Sequence, residues 1–185
     1  MVTARRRGPS AWTLVAIAVI VVLAGGLGVY ILTRPNTTAA APEGVQTFTG
    51  LSRNHVTTHV DYPQNPPVGG DHNPVWLNCG IYTSPVANEN AVHDLEHGAV
   101  WITYKPDLAK DQVAQLTQAV RGQTYVDLSP YPGLSAPVVA SAWGVQLKLS
   151  SASDPKLAQF IRYYRQGPQT PEPGATCTGG TGNPQ

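Results

Sequence analysis

The chain has 185 residues, of which 12 are basic and 11 acidic, giving a formal net charge of +1. That near-balance hides an asymmetry, because Arg5, Arg6 and Arg7 crowd the start while the chain beyond Arg34 holds 8 basic against 11 acidic residues. A slightly acidic body excludes nucleic acid as a natural partner.

After the three arginines, residues 11–32 run without a charge. At about 1.5 Å per residue this is long enough to cross a hydrocarbon core of roughly 30 Å. A cleaved signal would have a shorter apolar centre, about 7 to 15 residues, so an uncleaved transmembrane helix is expected. The arginine bias places the N-terminal tip, residues 1–10, in the cytoplasm and the rest outside the plasma membrane. Residues 33–44, rich in Thr, Ala and Pro, read as a linker, which leaves 45–185 as one extracytoplasmic domain.

Residues 45–70 are extended and turn-rich. The loose alternation of Asn54 to Tyr62 predicts a strand, and Pro63, Pro66, Pro67, Gly69 and Gly70 predict a long ordered loop after it. That loop delivers Asp71 and His72, then Trp76, Cys79 and Tyr82. Cys79 and Cys177 are the only cysteines, and in an oxidising compartment two thiols tend to pair, so a disulfide is expected in preference to a metal-ligating Cys79.

Asn88 to His97 reads as a short helix stopped by Gly98, followed by the strand Ala99 to Tyr104. Pro106 and Asp107 open a second helix that ends at Gly122. Tyr125 to Ser129, Pro137 to Gly144 and Val145 to Leu149 read as strands. Asp154-Pro155 opens a last helix through about Arg165, with Leu157, Phe160, Ile161 and Tyr164 turned inward. The tail from Gly167 has no periodicity, and its last residues, from Gly179, read as a frayed end. The pattern predicts an α+β domain with a mixed or antiparallel sheet covered by about two helices.

The chemistry concentrates in His93-Asp-Leu-Glu-His97. On a helix, His93 and His97 stand one turn apart on one face with Glu96 beside them. Two imidazoles so placed can grip one transition-metal ion, with a third ligand from His72, His55 or, more remotely, His59. Glu96 could ligate, orient a ligand or act as a base toward metal-bound water. The plain alternative is a set of hydrogen bonds that pins the loop to the body. The five residues also match the H-x-x-E-H pattern of inverted zinc metallopeptidases, but the only later glutamate is Glu172, in a Pro-rich tail where no helix is expected.

A wider resemblance covers most of the exterior part. Asn65-Pro-Pro-Val-Gly-Gly-Asp-His72, Asn78-Cys-Gly-Ile-Tyr82, Val92 to Val100, Ser129 to Gly133, Ser141-Ala-Trp-Gly144 and Gly167-Pro-Gln-Thr-Pro-Glu-Pro-Gly together resemble the actinobacterial membrane-anchored family catalogued as domain of unknown function 3105. The resemblance implies a single anchor, an exported domain and shared positions at His72, His93, Glu96, His97, Trp143 and Gly144. It implies no activity, and it tilts the metal toward copper. Met1 is the only methionine, so a copper site would be nitrogen-rich and suit Cu(II).

The expectation is therefore an anchored extracytoplasmic protein that binds copper or zinc through His72, His93, His97, Glu96 and His55, in a binding or accessory role. Two alternatives stand beside it: a metal-free accessory subunit with an envelope protein partner, and a metal-dependent hydrolase with Glu96 as base.

Overall fold

The computed structural model describes residues 40–185, with Trp12 alone before them. The expected membrane span, 11–32, lies outside the described residues. Among those described, no helix is long and apolar enough to cross a membrane.

Five strands form one mixed sheet: β1 (Gln46–Thr47), β2 (Val100–Tyr104), β3 (Val126–Pro130), β4 (Val138–Ala142) and β5 (Val145–Leu149), in the order β1-β5-β4-β2-β3. Only β2 and β3 are parallel. They are joined by helix α2 (Lys110–Val120), the crossover that a parallel pair requires. β4 and β5 form a hairpin whose two linking residues are Trp143 and Gly144, and Gly144 takes φ +68°, which a tight hairpin turn needs.

Both faces of the sheet are covered. Alternate residues of each strand point to opposite faces. Val100, Ile102, Val126, Leu128, Val138 and Ala140 therefore pack on one side with Leu116 and Val120 of α2 and with Leu157, Phe160, Ile161 and Tyr164 of α3 (Pro155–Tyr164). Asp154 caps α3 by accepting the Lys156 N–H, and Pro155 fills the first turn, as the sequence signal requires. On the opposite side Trp101 and Trp143 pack against Ala91, Val92 and Leu95 of a third helix, α1 (Asn88–Glu96). The expected pair of covering helices is thus α2 and α3, and α1 with its loops forms the second layer.

Three local expectations change. Asn54 to Tyr62 is no strand: its backbone makes a single parallel bridge, with the Val56 N–H on His72 O and the His72 N–H on Asn54 O. Helix α2 begins at Lys110 because Lys105 to Leu108 close a turn first, with the Leu108 N–H on Lys105 O. The last residues are not frayed. Thr181 pairs with Trp76 and Asn78, the Gln185 N–H donates to Ile81 O, and the Asn78 side chain spans Gly180 and Gly182. The same 76–82 segment lies along β3, where the Tyr82 N–H donates to Leu128 O and the Leu128 N–H to Gly80 O.

Cys79 and Cys177 are joined, with Cα atoms 5.4 Å apart and 98 positions between them in sequence. The disulfide is not the tail's only tether. Residues 166–174 wrap the C-terminus of α1, with Glu172 N–H on Glu96 O, Gln166 N–H on Gly98 O and the Gln166 amide on His97 O. These bonds satisfy carbonyls that a helix end leaves without partners.

Candidate metal centre

Helix α1 carries the site and is buried on all sides, from Ala91 through its end. Gly98, at φ +98°, stops it: the Gly98 N–H reaches Leu95 O and the Ala99 N–H reaches Asp94 O, the paired bonds of a left-handed cap. Ala91, Val92 and Leu95 face the sheet, which turns His93, Glu96 and His97 toward the loop and the tail.

The loop brings His72 over them. Gly69 and Gly70 adopt positive φ, and a Cβ on Gly69 would lie 2.7 Å from Leu51 Cδ1 and 3.3 Å from the Trp143 ring. Glycine there lets the backbone press against the Trp143–Gly144 turn, where the Gly144 N–H donates to Val68 O. His72 is fully buried, with the Trp143 ring edge-on at 6.0 Å.

One ring nitrogen is spoken for in each of three histidines. Nδ1 of His72 contacts Gly70 O at 2.7 Å, that of His93 contacts Asn73 O at 2.6 Å, and that of His97 contacts Thr176 O at 2.6 Å. A carbonyl can only accept, so each Nδ1 carries a hydrogen, which leaves Nε2 as the nitrogen that a metal could take. This is the arrangement by which outer hydrogen bonds aim ligating imidazoles. Burial, above all, holds His93 down at about 4, and the neighbouring His97, His72 and His55 add to the effect. Its ring is therefore neutral near pH 7.

His72 Nε2 lies 3.0 Å from Glu96 Oε2, yet it has no hydrogen-bond partner. Two such acceptors facing each other in a buried site are unfavourable unless a proton or a metal cation joins them. His55 Nε2 lies 4.0 Å from the same oxygen, and its ring stacks 4.9 Å from that of His93. One ligand atom from each of His55, His72, His93 and Glu96 lies within 4.8 Å of all the others. Ligand atoms around a tetrahedral ion with bonds of about 2.0–2.2 Å stand roughly 3.3–3.5 Å apart, so the set must close by at most about 1.5 Å. His55 is half exposed and free to supply that movement.

Of the sequence candidates, the structure brings these four together. His97 stays beside His93, rings 4.5 Å apart, but its Nε2 turns toward Glu172 Oε2 at 4.0 Å. His59 is elsewhere, with Nδ1 2.9 Å from Glu89 Oε1. Glu172 needed no helix to reach the cluster, because the tail wraps α1 instead.

Sequence reasoning missed a second polar group. Asp94 and Asp127 are both fully buried and within 3.9 and 3.8 Å of Cys79 Sγ. Burial raises both carboxyls, Asp127 to about 7 and Asp94 well above its usual value with Asp127 adding to the rise, so the two share a proton. A charged residue between Val126 and Leu128 in an apolar strand was the available signal. The set Cys79, Asp94 and Cys177 also has ligand spacing, but the two sulfurs are spent on each other.

A family model described as protein of unknown function, DUF3105, matches residues 55–179. The chain belongs to the DUF3105 family. The match begins at His55 and includes every residue of the cluster, the disulfide and Glu172. No curated protein and no solved structure matches this DUF3105 chain.

Proposed function

We propose that this DUF3105 protein is a membrane-anchored extracytoplasmic protein that holds one transition-metal ion through His55, His72, His93 and Glu96. The observation that carries the reading is the fully buried His72 Nε2, which lies 3.0 Å from Glu96 Oε2 and yet forms no hydrogen bond. Three imidazole nitrogens and one carboxylate suit Zn(II) or Cu(II), and the lack of any methionine beyond Met1 disfavours Cu(I). The role is binding or accessory. Glu96 has its oxygens turned to His72 and to Arg53, whose Nε lies 3.9 Å from Oε1, and this leaves it poorly placed as a base for hydrolysis.

Metal analysis of the freshly isolated full chain tests this, followed by titration of the metal-free form with Zn(II) and Cu(II). One ion per chain is expected, with affinity reduced at least about 100-fold by His72→Ala or His93→Ala and less by half-exposed His55→Ala. A chain with no stoichiometric metal and no uptake refutes the reading. The Arg53–Glu96 contact then favours a metal-free accessory subunit, in which the same residues pin the loop to α1 beside an envelope partner.

A further inference from the structure

A second imidazole faces a second carboxylate beside His93. His97 is 4% exposed and gives its Nδ1 hydrogen to Thr176 O, so its Nε2 is the nitrogen left opposite Glu172 Oε2 at 4.0 Å. That separation is too long for a hydrogen bond and is about 0.5 Å wider than the spacing of two ligands on one tetrahedral ion, a gap that rotation of the half-exposed Glu172 side chain closes. We propose that His97 and Glu172 form an outer cation position, through which a transition-metal ion is loaded into the inner His55, His72, His93 and Glu96 site.

Three features support it. First, Glu172 is held in place by its backbone, with its N–H on Glu96 O and its carbonyl accepting from Ala175, while its side chain is half exposed. Its backbone is thus anchored while its carboxylate meets solvent. Second, the position lies at the C-terminus of α1, where the carbonyl ends of the helix favour a cation. Third, the path inward is short: ring centroids step 4.5 Å from His97 to His93 and 4.8 Å from His93 to His72. The Trp76 indole lies 5.5 Å from His97 and 5.8 Å from His93, covering the step between them. An ion can therefore move by exchanging one imidazole for the next. Two protein ligands bind more weakly than four, with water completing the outer sphere, so the outer position releases its ion readily.

This inference rests on the inner site, and its test separates the two. Zn(II) is titrated into the metal-free full chain by calorimetry, and the loading rate of the tight site is followed by stopped flow with a chromophoric chelator as donor. The native chain should take up about two ions, one tight and one weak, and Glu172→Gln about one, with the tight affinity retained and loading slowed about tenfold. Glu172 is exposed enough for this isosteric change to leave the fold intact. A Glu172→Gln chain that keeps the weak ion, or that loads at the native rate, overturns the outer position while leaving the inner site standing. A native chain that binds one tight ion and no weak one also overturns it. A native chain that binds no ion overturns the inner site and this inference with it.

Discussion

Replacing Asp127 by asparagine should remove a component of folding stability that falls as pH rises, and the structure fixes the sign. The unfolded chain ionises this carboxyl near its ordinary value of 3.8, whereas the folded chain holds its proton to about 7 because the group is buried. Between those values the folded state binds a proton that the unfolded state has released. Asp127 therefore lends stability that is complete below about pH 3.8 and is lost as pH rises through about 7. The full span is worth roughly 4 kcal/mol at about 1.4 kcal/mol per pH unit. His93 works the other way. Its pKa falls from 6.5 to about 4 on folding, so its contribution is present above 6.5 and lost as pH falls through 4. The two partly cancel in the native profile, so the informative quantity is the difference between native and Asp127→Asn chains, in which the His93 contribution drops out. Asparagine can still accept the Gly80 N–H and can donate to Asp94. Urea unfolding at a series of pH values from about 4 to 7.5 should show the native advantage shrinking by a few kcal/mol. A difference that stays constant across that range would refute the shared proton.

Other outcomes follow from single features. Reducing the disulfide, or replacing both Cys79 and Cys177 by alanine, frees a loop closed over 98 positions, and the urea-derived stability should fall by about 4 to 5 kcal/mol on the chain-entropy account. An unchanged midpoint would show that the hydrogen bonds of the tail suffice alone. Phe160→Ala empties a fully buried position under β4 and β5, so thermal unfolding should register a loss of about 3 to 5 kcal/mol, and a loss under 1 would mean the core refills. Gly98→Ala should cost more than Gly122→Ala. Both have positive φ, but a Cβ at Gly98 would also strike the Gln166 amide and lie 3.0 Å from Thr170 Cγ2, whereas Gly122 has open space around it. Equal melting temperatures for the two variants would contradict this.

The periodic segments could be read from sequence because each signal was local. Asp154-Pro155 and the Leu157, Phe160, Ile161, Tyr164 stripe placed α3 within a residue of its ends, and Gly98 marked the stop of α1. The site was legible in part: the one-turn spacing of His93 and Glu96 put them on one face, and the histidine-bearing loop pointed to His72 and His55. What stayed hidden depends on contacts between distant segments. Nothing in Gly167 to Gln185 shows that the tail wraps α1 and presents Glu172 to His97, since its order comes from helix-end carbonyls and from pairing with 76–81. The loose alternation of 54–62 misled for the same reason. Its backbone partner is His72, not a sheet strand, and a single bridge has no periodicity to detect.

The segment 80–82 lying along β3 has a consequence for how this protein can associate. One margin of the sheet is already occupied by the chain's own backbone, and the other is the two-residue β1. Among the described residues, the β3 margin is blocked at Leu128 and the β1 margin leaves only residues 147–149 of β5 uncovered, a short run for templating a foreign strand. Association by strand addition, and the edge-to-edge stacking that begins aggregation, are therefore disfavoured at both margins. A partner must recognise side chains, and the half-exposed rim around His55 and Glu172 is where the distinctive ones are displayed.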